Sequence, residues 1–302
     1  MAVSDTACFA LALDAMDGVG RVTAGRLLTH FATYADLLRY PREQVLNRLK
    51  GAPRSKALVS TLFDQEAMAA RLDEAAQTLA HLSTFRVMLV TLRDPAWPAG
   101  LNDLPRSSRP FLLYTYGHRE VLARPLVAFF ARPPISPVSF EEAQALVQHL
   151  LPNAVVPATG ASHGFDIVVH KLCYAGQAGY SSLLVASAGM AKAPPPLRPT
   201  VSGAVKAGGL FVSPFAMNHG PFDHDDKERA LVLAALAGAC VFFEPEPHTP
   251  EWHALAWATE AGRPVFGIAS PQHPLPEPVH LLQSEVDFDW VLAAVRSERE
   301  GS

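Results

Sequence analysis

The residues best suited to bind an anionic ligand lie in one short segment that runs from Thr159 to Asp166. The segment follows an apolar run and precedes a helical pattern, so Gly160 and Gly164 lie where a strand passes into a helix. The first N–H groups of such a helix lack intrahelical partners and attract anions, and glycine permits close approach of the backbone. The spacing predicts an anion site at the carboxyl end of a strand. The alternative is a glycine loop that only reverses the chain.

Polar side chains accompany this loop. The hydroxyls of Thr159 and Ser162 can donate hydrogen bonds to a ligand. Asp166 and His170 are four residues apart on the predicted helix, so they share one face and can contact each other or the ligand. In the alternative interpretation, Asp166 is an ordinary helix cap.

A second candidate for phosphate contact lies near the start of the chain, where Gly18 and Gly20 separate two helical segments. In a helix-hairpin-helix, the glycines allow a tight turn and the second helix presents free N–H groups to a phosphate. Arg21 and Arg26 add positive charge there. The alternative is a plain helical corner that uses glycine as a C-cap.

Histidine and aspartate are concentrated in one further segment: His219, Asp223, His224, Asp225 and Asp226. This density of nitrogen and carboxylate ligands is typical of divalent-metal sites. We prefer another interpretation, in which Asp225 and Glu228 form the capping box of a helix and the acidic first turn complements the helix dipole. The sequence is therefore predicted to hold no metal.

The elements that position these residues change in character along the chain. Residues 1–82 are helical throughout, with amphipathic stretches at 34–49 and 56–82. Beyond residue 83, short apolar runs alternate with helical patterns. The predicted strands are 86–92, 111–115, 126–130, 154–158, 182–186, 210–213, 239–243 and 264–268. The predicted helices are 140–151, 165–175, 199–207, 226–237 and 251–261.

This alternation predicts an α/β fold. Residues 83–302 are expected to form a Rossmann-like, mostly parallel sheet with helices on both faces. Residues 1–82 are expected to form a small all-helical module of the helix-hairpin-helix or SAM-like type. The two parts give a two-domain organisation with its boundary between residues 82 and 83.

The composition narrows the function classes. The 302 residues carry a net charge of −4 and only 18% charged residues, so any nucleic-acid contact must come from a local patch. Cys8, Cys173 and Cys240 lack metal-ligand spacing and are typical of reduced thiols. Asp5 disfavours a signal peptide, and the longest apolar run, 230–243, is shorter than the ~20 residues of a membrane span. We expect a cytoplasmic protein with no membrane segment.

Several short motifs, met in the same order along residues 7–268, resemble those of the DprA/Smf family of DNA-processing proteins. The glycine loop is similar to the family segment Ser-Gly-x-Ala-x-Gly-Ile-Asp-x-x-Ala-His. Four positions keep the residue type and spacing: Gly160, Gly164, Asp166 and His170. Three positions differ, with Thr159 for the serine and Ser162 and Val169 for the two alanines. Residues 94–101, 110–117, 209–213 and 262–266 also resemble family motifs.

Other family positions are altered. The Val-Gly-(Ser/Thr)-Arg turn after the first core strand becomes residues 129–132, where the glycine is lost and only Arg132 corresponds. The Arg-Asn-Arg helix start keeps only Arg229, and Pro214 replaces a glutamate. The Ser-Gly-Ser-x-x-Thr-Ala loop is missing after Glu244, and we expect no C-terminal winged helix. The phosphate contacts of the family are therefore expected to be weakened or redistributed here.

The resemblance implies binding of single-stranded DNA and its transfer to the RecA recombinase in natural transformation, with no enzymatic activity and no cofactor. It also implies a homodimer formed through the core. By this resemblance the DNA-contacting residues are Arg132, Thr159, Gly160, Ser162, Gly164, His170 and Arg229, with Asp166 orienting the loop. Gly18, Gly20 and Arg21 would form a secondary DNA contact.

Two other functions stay open at this point. A Rossmann-like protein with fewer basic positions can bind or cleave a nucleotide, and a degenerate paralogue can act as a protein partner only. The sequence has no Gly-x-Ser-x-Gly elbow, Walker loop or His-Glu-x-x-His motif that would indicate a hydrolase. Nucleotide binding without DNA affinity would favour the first alternative, and binding of neither ligand the second.

Overall fold

The computed structural model describes residues 4–162, 164–176, 179–269 and 274–300, so His163 of the predicted anion loop lies outside the described residues. The chain forms two compact units. The first comprises the described residues up to Trp97 together with Pro105–Tyr114. The second comprises Pro98–Leu104 and the described residues from Thr115 onward. The domain boundary between residues 82 and 83 stays a prediction.

The helical part of the first unit consists of α1 (Asp5–Asp14), α2 (Arg21–His30), α3 (Tyr34–Leu38), α4 (Arg42–Arg48), α5 (Ser55–Leu62) and α6 (Gln65–Thr84). The helices enclose a core that includes the fully buried Phe9 and Leu13. The stretch expected at 34–49 is two helices, because Pro41 lacks an N–H and serves as the N-cap of α4. The stretch expected at 56–82 is also divided, since the Asp64 side chain caps α6 through the Ala67 N–H.

The described strands are β1 (Val87–Thr91), β2 (Leu112–Gly117), β3 (Leu126–Ala131), β4 (Val156–Gly160), β5 (Leu183–Val185), β6 (Leu210–Ser213), β7 (Ala239–Phe243), β8 (Val265–Ile268) and β9 (His280–Leu281). They form one sheet in the order β1-β2-β6-β5-β4-β3-β7-β8-β9. The pairs from β6 to β9 in this order are all parallel. The predicted Rossmann-like, mostly parallel sheet is confirmed.

The helices of the second unit are α7 (Pro137–Leu150), α8 (Phe165–Tyr174), α9 (Arg198–Lys206), α10 (Asp225–Leu236), α11 (Pro250–Glu260) and α12 (Phe288–Glu300). They cover both faces of the sheet. On one face, Phe129 stacks on Phe243 within a core shared with α7, α8 and α12. Successive strand residues point to opposite faces, so Cys240 points the other way, and its thiol contacts the Ala234 carbonyl of α10.

The apolar run 230–243 forms the buried part of α10 followed by the buried strand β7, as predicted. No helix among the described residues is long and apolar enough to cross a bilayer. Cys8, Cys173 and Cys240 are buried thiols. Burial raises the pKa of the Cys173 thiol to about 12, so this cysteine stays protonated and unreactive at neutral pH.

Candidate functional site

The carboxylate of Asp166 organises the loop between β4 and α8. Thr159, near the end of β4, donates its hydroxyl hydrogen to Asp166 Oδ1 at 2.6 Å, and the Thr159 hydroxyl oxygen also lies 3.0 Å from the Phe129 carbonyl oxygen of β3. Asp166 Oδ2 accepts from the backbone N–H of Ser162 at 3.1 Å and from the Ser162 hydroxyl. Because three donors converge on one buried carboxylate, the loop is held against the first turn of α8.

His170 lies beneath this loop and is 1% exposed. Its Nε2 is 2.9 Å from the Gly160 carbonyl oxygen, which can only accept, so Nε2 carries the ring hydrogen. Nδ1 then accepts from the Ser182 hydroxyl at 3.1 Å. Burial lowers the pKa of His170, and the hydrogen bond to Gly160 and the charge of Asp166 oppose this only in part. The neutral imidazole therefore supports the loop from below, through its hydrogen bond to the Gly160 carbonyl.

Gly160 is required by the close approach of two charged side chains. A Cβ atom at this position would lie 2.5 Å from Asp166 Oδ2 and 2.6 Å from Arg229 Nη1. Both distances are shorter than real Cβ contacts, so a larger residue would displace the carboxylate, the guanidinium or the loop. The glycine that sequence reasoning assigned to close ligand approach thus also lets Arg229 of α10 lie against the end of β4.

Arg229 is buried and paired. Its Nη2 is 3.3 Å from Glu251 Oε1 of α11, and its Nε is 3.5 Å from Asp226 Oδ1. Two carboxylates offset most of its charge, so Arg229 presents less free positive charge than the sequence suggested. Sequence reasoning missed Glu251 as well as Ser182, the partner of His170. Neither has a local signal, since each meets its partner only through the packing of separate elements.

The loop is exposed at the point where it enters α8. Gly164 is the N-cap residue, with φ of 75° and no side-chain cap, so the first N–H groups of α8 lack a helix-capping side chain. Ser162 and Gly164 are exposed. Pro133 contacts this point, because a Cβ on Gly164 would lie 3.3 Å from Pro133 Cγ. Its neighbour Arg132 is exposed just beyond β3 and forms no ion pair with any described residue.

This arrangement lies where the strand order reverses. Strands β4 to β6 follow on one side of β3 and strands β7 to β9 on the other, so the carboxyl end of β3 marks the crevice where such sheets bind ligands. Glu244 closes part of that crevice after β7. Its carboxylate accepts hydrogen bonds from the Ser136 N–H at 3.1 Å and the Ser139 hydroxyl at 2.6 Å. A carboxylate therefore occupies the N-terminus of α7.

The glycine hairpin of the first unit leaves the N-terminus of α2 without a side-chain cap. Gly18 has φ of 77°, and Gly20 is the N-cap of α2 without a side-chain cap. A Cβ atom on either glycine would meet no atom within 4 Å, so the space before the helix is open. Arg21 begins α2, and its Nη1 lies 3.4 Å from the Ser107 carbonyl oxygen.

The capping box expected at Asp225 and Glu228 is wrong. The helix begins one residue earlier than that box requires, so Asp225 is the first helical residue and His224 the N-cap, without a side-chain capping bond. The Asp225 carboxylate is instead contacted by His219 Nε2 at 2.9 Å and by the Phe222 N–H at 2.8 Å. His219, His224 and Asp225 are the described residues whose ligand atoms lie together as in a metal site.

The sequence matches a known protein family over most of its length. Residues 88–283 match the family model of DNA recombination-mediator protein A. The chain belongs to this family. Membership confirms the resemblance to DprA/Smf proteins and assigns the chain to DNA processing and recombination. No curated protein matches the sequence significantly.

Two solved structures of DNA processing protein A share the fold of this family member. The X-ray structure of the protein from Streptococcus pneumoniae has a TM-score of 0.68 and 19% sequence identity, covering 97% of this chain and 98% of that one. The protein from Helicobacter pylori, described for its single-stranded DNA binding mode, has a TM-score of 0.55 and 16% identity. That match covers 68% of this chain and 96% of the other.

Proposed function

We propose that this chain binds single-stranded DNA at the loop between β4 and α8 and passes it to the RecA recombinase. One observation carries the proposal. The uncapped N-terminus of α8, with Ser162 and Gly164 exposed, lies beside Arg132, an exposed cation with no ion pair among the described residues. A phosphate of the DNA backbone finds both a row of N–H groups and a guanidinium there.

The charges at the site define what kind of binding to expect. Arg132 supplies the free positive charge, whereas Arg229 is engaged by Glu251 and Asp226. Few phosphates are then neutralised at each site, so the affinity is moderate and falls with salt along a shallow slope. Homodimerisation, which family membership also leads us to propose, would place two such sites on one strand and raise the affinity through avidity.

Glu244 favours a nucleic-acid strand over a mononucleotide. In Rossmann folds, a nucleotide phosphate binds at the N-terminus of the helix that follows the first strand of the sheet. Here the Glu244 carboxylate accepts the hydrogen bonds at the start of α7 and would repel a phosphate. The remaining anion site at α8 is more exposed, which suits the backbone of a strand that passes over it.

The hairpin formed by Gly18 and Gly20 is proposed as a secondary contact for single-stranded DNA. The open space before α2 and the neighbouring Arg21 support this role. We propose no catalytic step, because the two described hydroxyls of the loop, those of Thr159 and Ser162, are both engaged by the Asp166 carboxylate.

A fluorescence-anisotropy titration tests the proposal. A labelled oligothymidine is titrated with the full chain at low salt, with unlabelled duplex DNA or ATP as competitor. We expect saturable binding that duplex and ATP displace poorly. Displacement by ATP, or no binding at micromolar protein, would contradict the proposal. RecA delivery is then measured as faster RecA filament formation on DNA covered by single-strand-binding protein, and no acceleration would refute that part.

A further inference from the structure

A second group of side chains lies between β6 and α10, apart from the loop that follows β4. It consists of His219, His224 and Asp225. His219 Nε2 is 2.9 Å and His224 Nε2 is 3.4 Å from the same carboxylate oxygen, Asp225 Oδ1. One ligand atom from each residue lies within 4.8 Å of the other two. We propose that these three residues bind one divalent transition-metal ion, with Zn²⁺ as the best match.

The donor set suits zinc. Two imidazole nitrogens and one carboxylate oxygen are borderline ligands that zinc accepts in three-residue sites with a fourth, open position. Zinc–ligand bonds of about 2.0–2.2 Å place tetrahedral ligands about 3.4 Å apart. The two nitrogen–oxygen distances of 2.9 and 3.4 Å are close to this separation. Small side-chain movements are therefore enough to admit the ion.

Aromatic contacts hold both imidazoles in place before any ion binds. The His219 ring stacks on Phe215 at 4.7 Å and meets the edge of Phe222 at 5.1 Å. The His224 ring stacks parallel to the Phe222 ring, with 5.8 Å between the ring centroids. Because the rings are already oriented, metal binding costs little side-chain entropy.

The carboxylate is fixed as a metal-binding carboxylate usually is, by a hydrogen bond to its second oxygen. Asp225 is 1% exposed, and its Oδ2 accepts from the Phe222 N–H at 2.8 Å. This leaves Oδ1 for the two histidines. The space around Oδ2 is closed, since a Cβ atom on Gly220 would lie 2.4 Å from it.

The local charge favours a cation although the site lies at a helix N-terminus, where the helix dipole opposes one. Residues 223–229 carry four carboxylates, on Asp223, Asp225, Asp226 and Glu228, against two cations, Lys227 and the Arg229 that pairs with Asp226. His224 is 73% exposed, so the ion has access from solvent and its fourth position is open to water. The Asp225 carboxylate does not cap α10, so helix capping does not account for its position.

Titration with the metals alone tests this proposal, using a chain without a polyhistidine tag after dialysis against a chelator. Zn²⁺ is titrated in competition with a chromophoric indicator, and Co²⁺ reports the ligand types by absorption. We expect one equivalent of Zn²⁺ and a Co²⁺ spectrum without the thiolate charge-transfer band that Cys8, Cys173 or Cys240 would give. His224→Gln should weaken binding more than about tenfold, since changes beyond the direct ligands already cost that much.

The variants separate coordination from folding. Because His224 is exposed, His224→Gln should keep the thermal transition of the parent chain. His118→Gln, an exposed histidine outside the group, is the matched control and should bind Zn²⁺ as the parent does. No saturable binding by the parent chain, or equal affinity in His224→Gln, would overturn the proposal. Binding does not depend on DNA, so the outcome is independent of the oligothymidine titration.

Discussion

The hydroxyl of Thr159 donates a 2.6 Å hydrogen bond to Asp166 Oδ1, which joins the end of β4 to the first turn of α8. The related family motif has a serine at this position, and threonine keeps the donor. Its oxygen also lies 3.0 Å from the Phe129 carbonyl oxygen in the neighbouring strand. The bond therefore fixes the helix N-terminus relative to two strands of the sheet, and the proposed DNA contact depends on that placement.

Asp166→Asn tests this connection. The amide offers one weaker acceptor where the carboxylate accepts from Thr159 and Ser162, and its NH₂ group would face a donor. We expect a loss of about 1.5–3 kcal/mol in the free energy of unfolding, measured by urea denaturation, with weaker oligothymidine binding. Asp289→Asn is the control, because its contact with His149 is exposed and should contribute less than about 1 kcal/mol. Equal stability of the two variants would contradict the account.

Gly160→Ala tests the close approach of Asp166 and Arg229. The added methyl group would overlap both side chains, so we expect about 1–3 kcal/mol of destabilisation and reduced affinity for single-stranded DNA. Gly176→Ala is the matched control, since a Cβ atom there meets nothing within 4 Å. The measurement is the urea midpoint of each variant beside the parent. A Gly160→Ala protein as stable as Gly176→Ala would show that the loop has room to shift.

Arg229→Ala should act mainly on stability. Its removal leaves Glu251 buried without its partner, and breaking a buried pair costs about 3–5 kcal/mol. Arg39→Ala is the control, because Arg39 is 78% exposed in its pair with Asp36 and should change stability by less than about 1 kcal/mol. Both are measured by urea unfolding. If Arg229→Ala leaves stability unchanged but abolishes DNA binding, Arg229 is a direct DNA contact and its structural role here is wrong.

His170 makes the stability of the chain depend on pH. Its pKa in the folded protein is below the ordinary value of 6.5, so the unfolded chain binds more protons as the solution becomes acidic. The folded state is then stabilised above pH of about 6.5 and loses that advantage as the pH falls below it. We expect the urea midpoint to fall more steeply between about pH 6.5 and 5 than in His170→Gln. Parallel pH profiles for the two proteins would contradict this.

The sequence predicted eight of the nine described strands, five of the six helices of the second unit and the position of the anion loop, because apolar runs and glycines are local signals. It did not predict β9 and α12. It missed the partners of the loop, since Ser182 and Glu251 meet His170 and Arg229 only after β5 and α11 pack beside them. The capping box at Asp225 failed for a similar reason. The pattern of residue types fits a cap, but His219 reaches the carboxylate from another turn of the chain.

The most direct test of DNA binding at α8 compares Arg132→Ala with Arg296→Ala. Arg296 is also exposed, but its contact with Asn153 lies before β4, at the opposite edge of the sheet from the loop. Oligothymidine affinity is measured by anisotropy at about 50 mM and about 200 mM salt. We expect Arg132→Ala to weaken binding about tenfold at low salt and to reduce the salt slope by about 0.7, with Arg296→Ala unchanged. Equal affinities and slopes for the two variants would contradict the central claim.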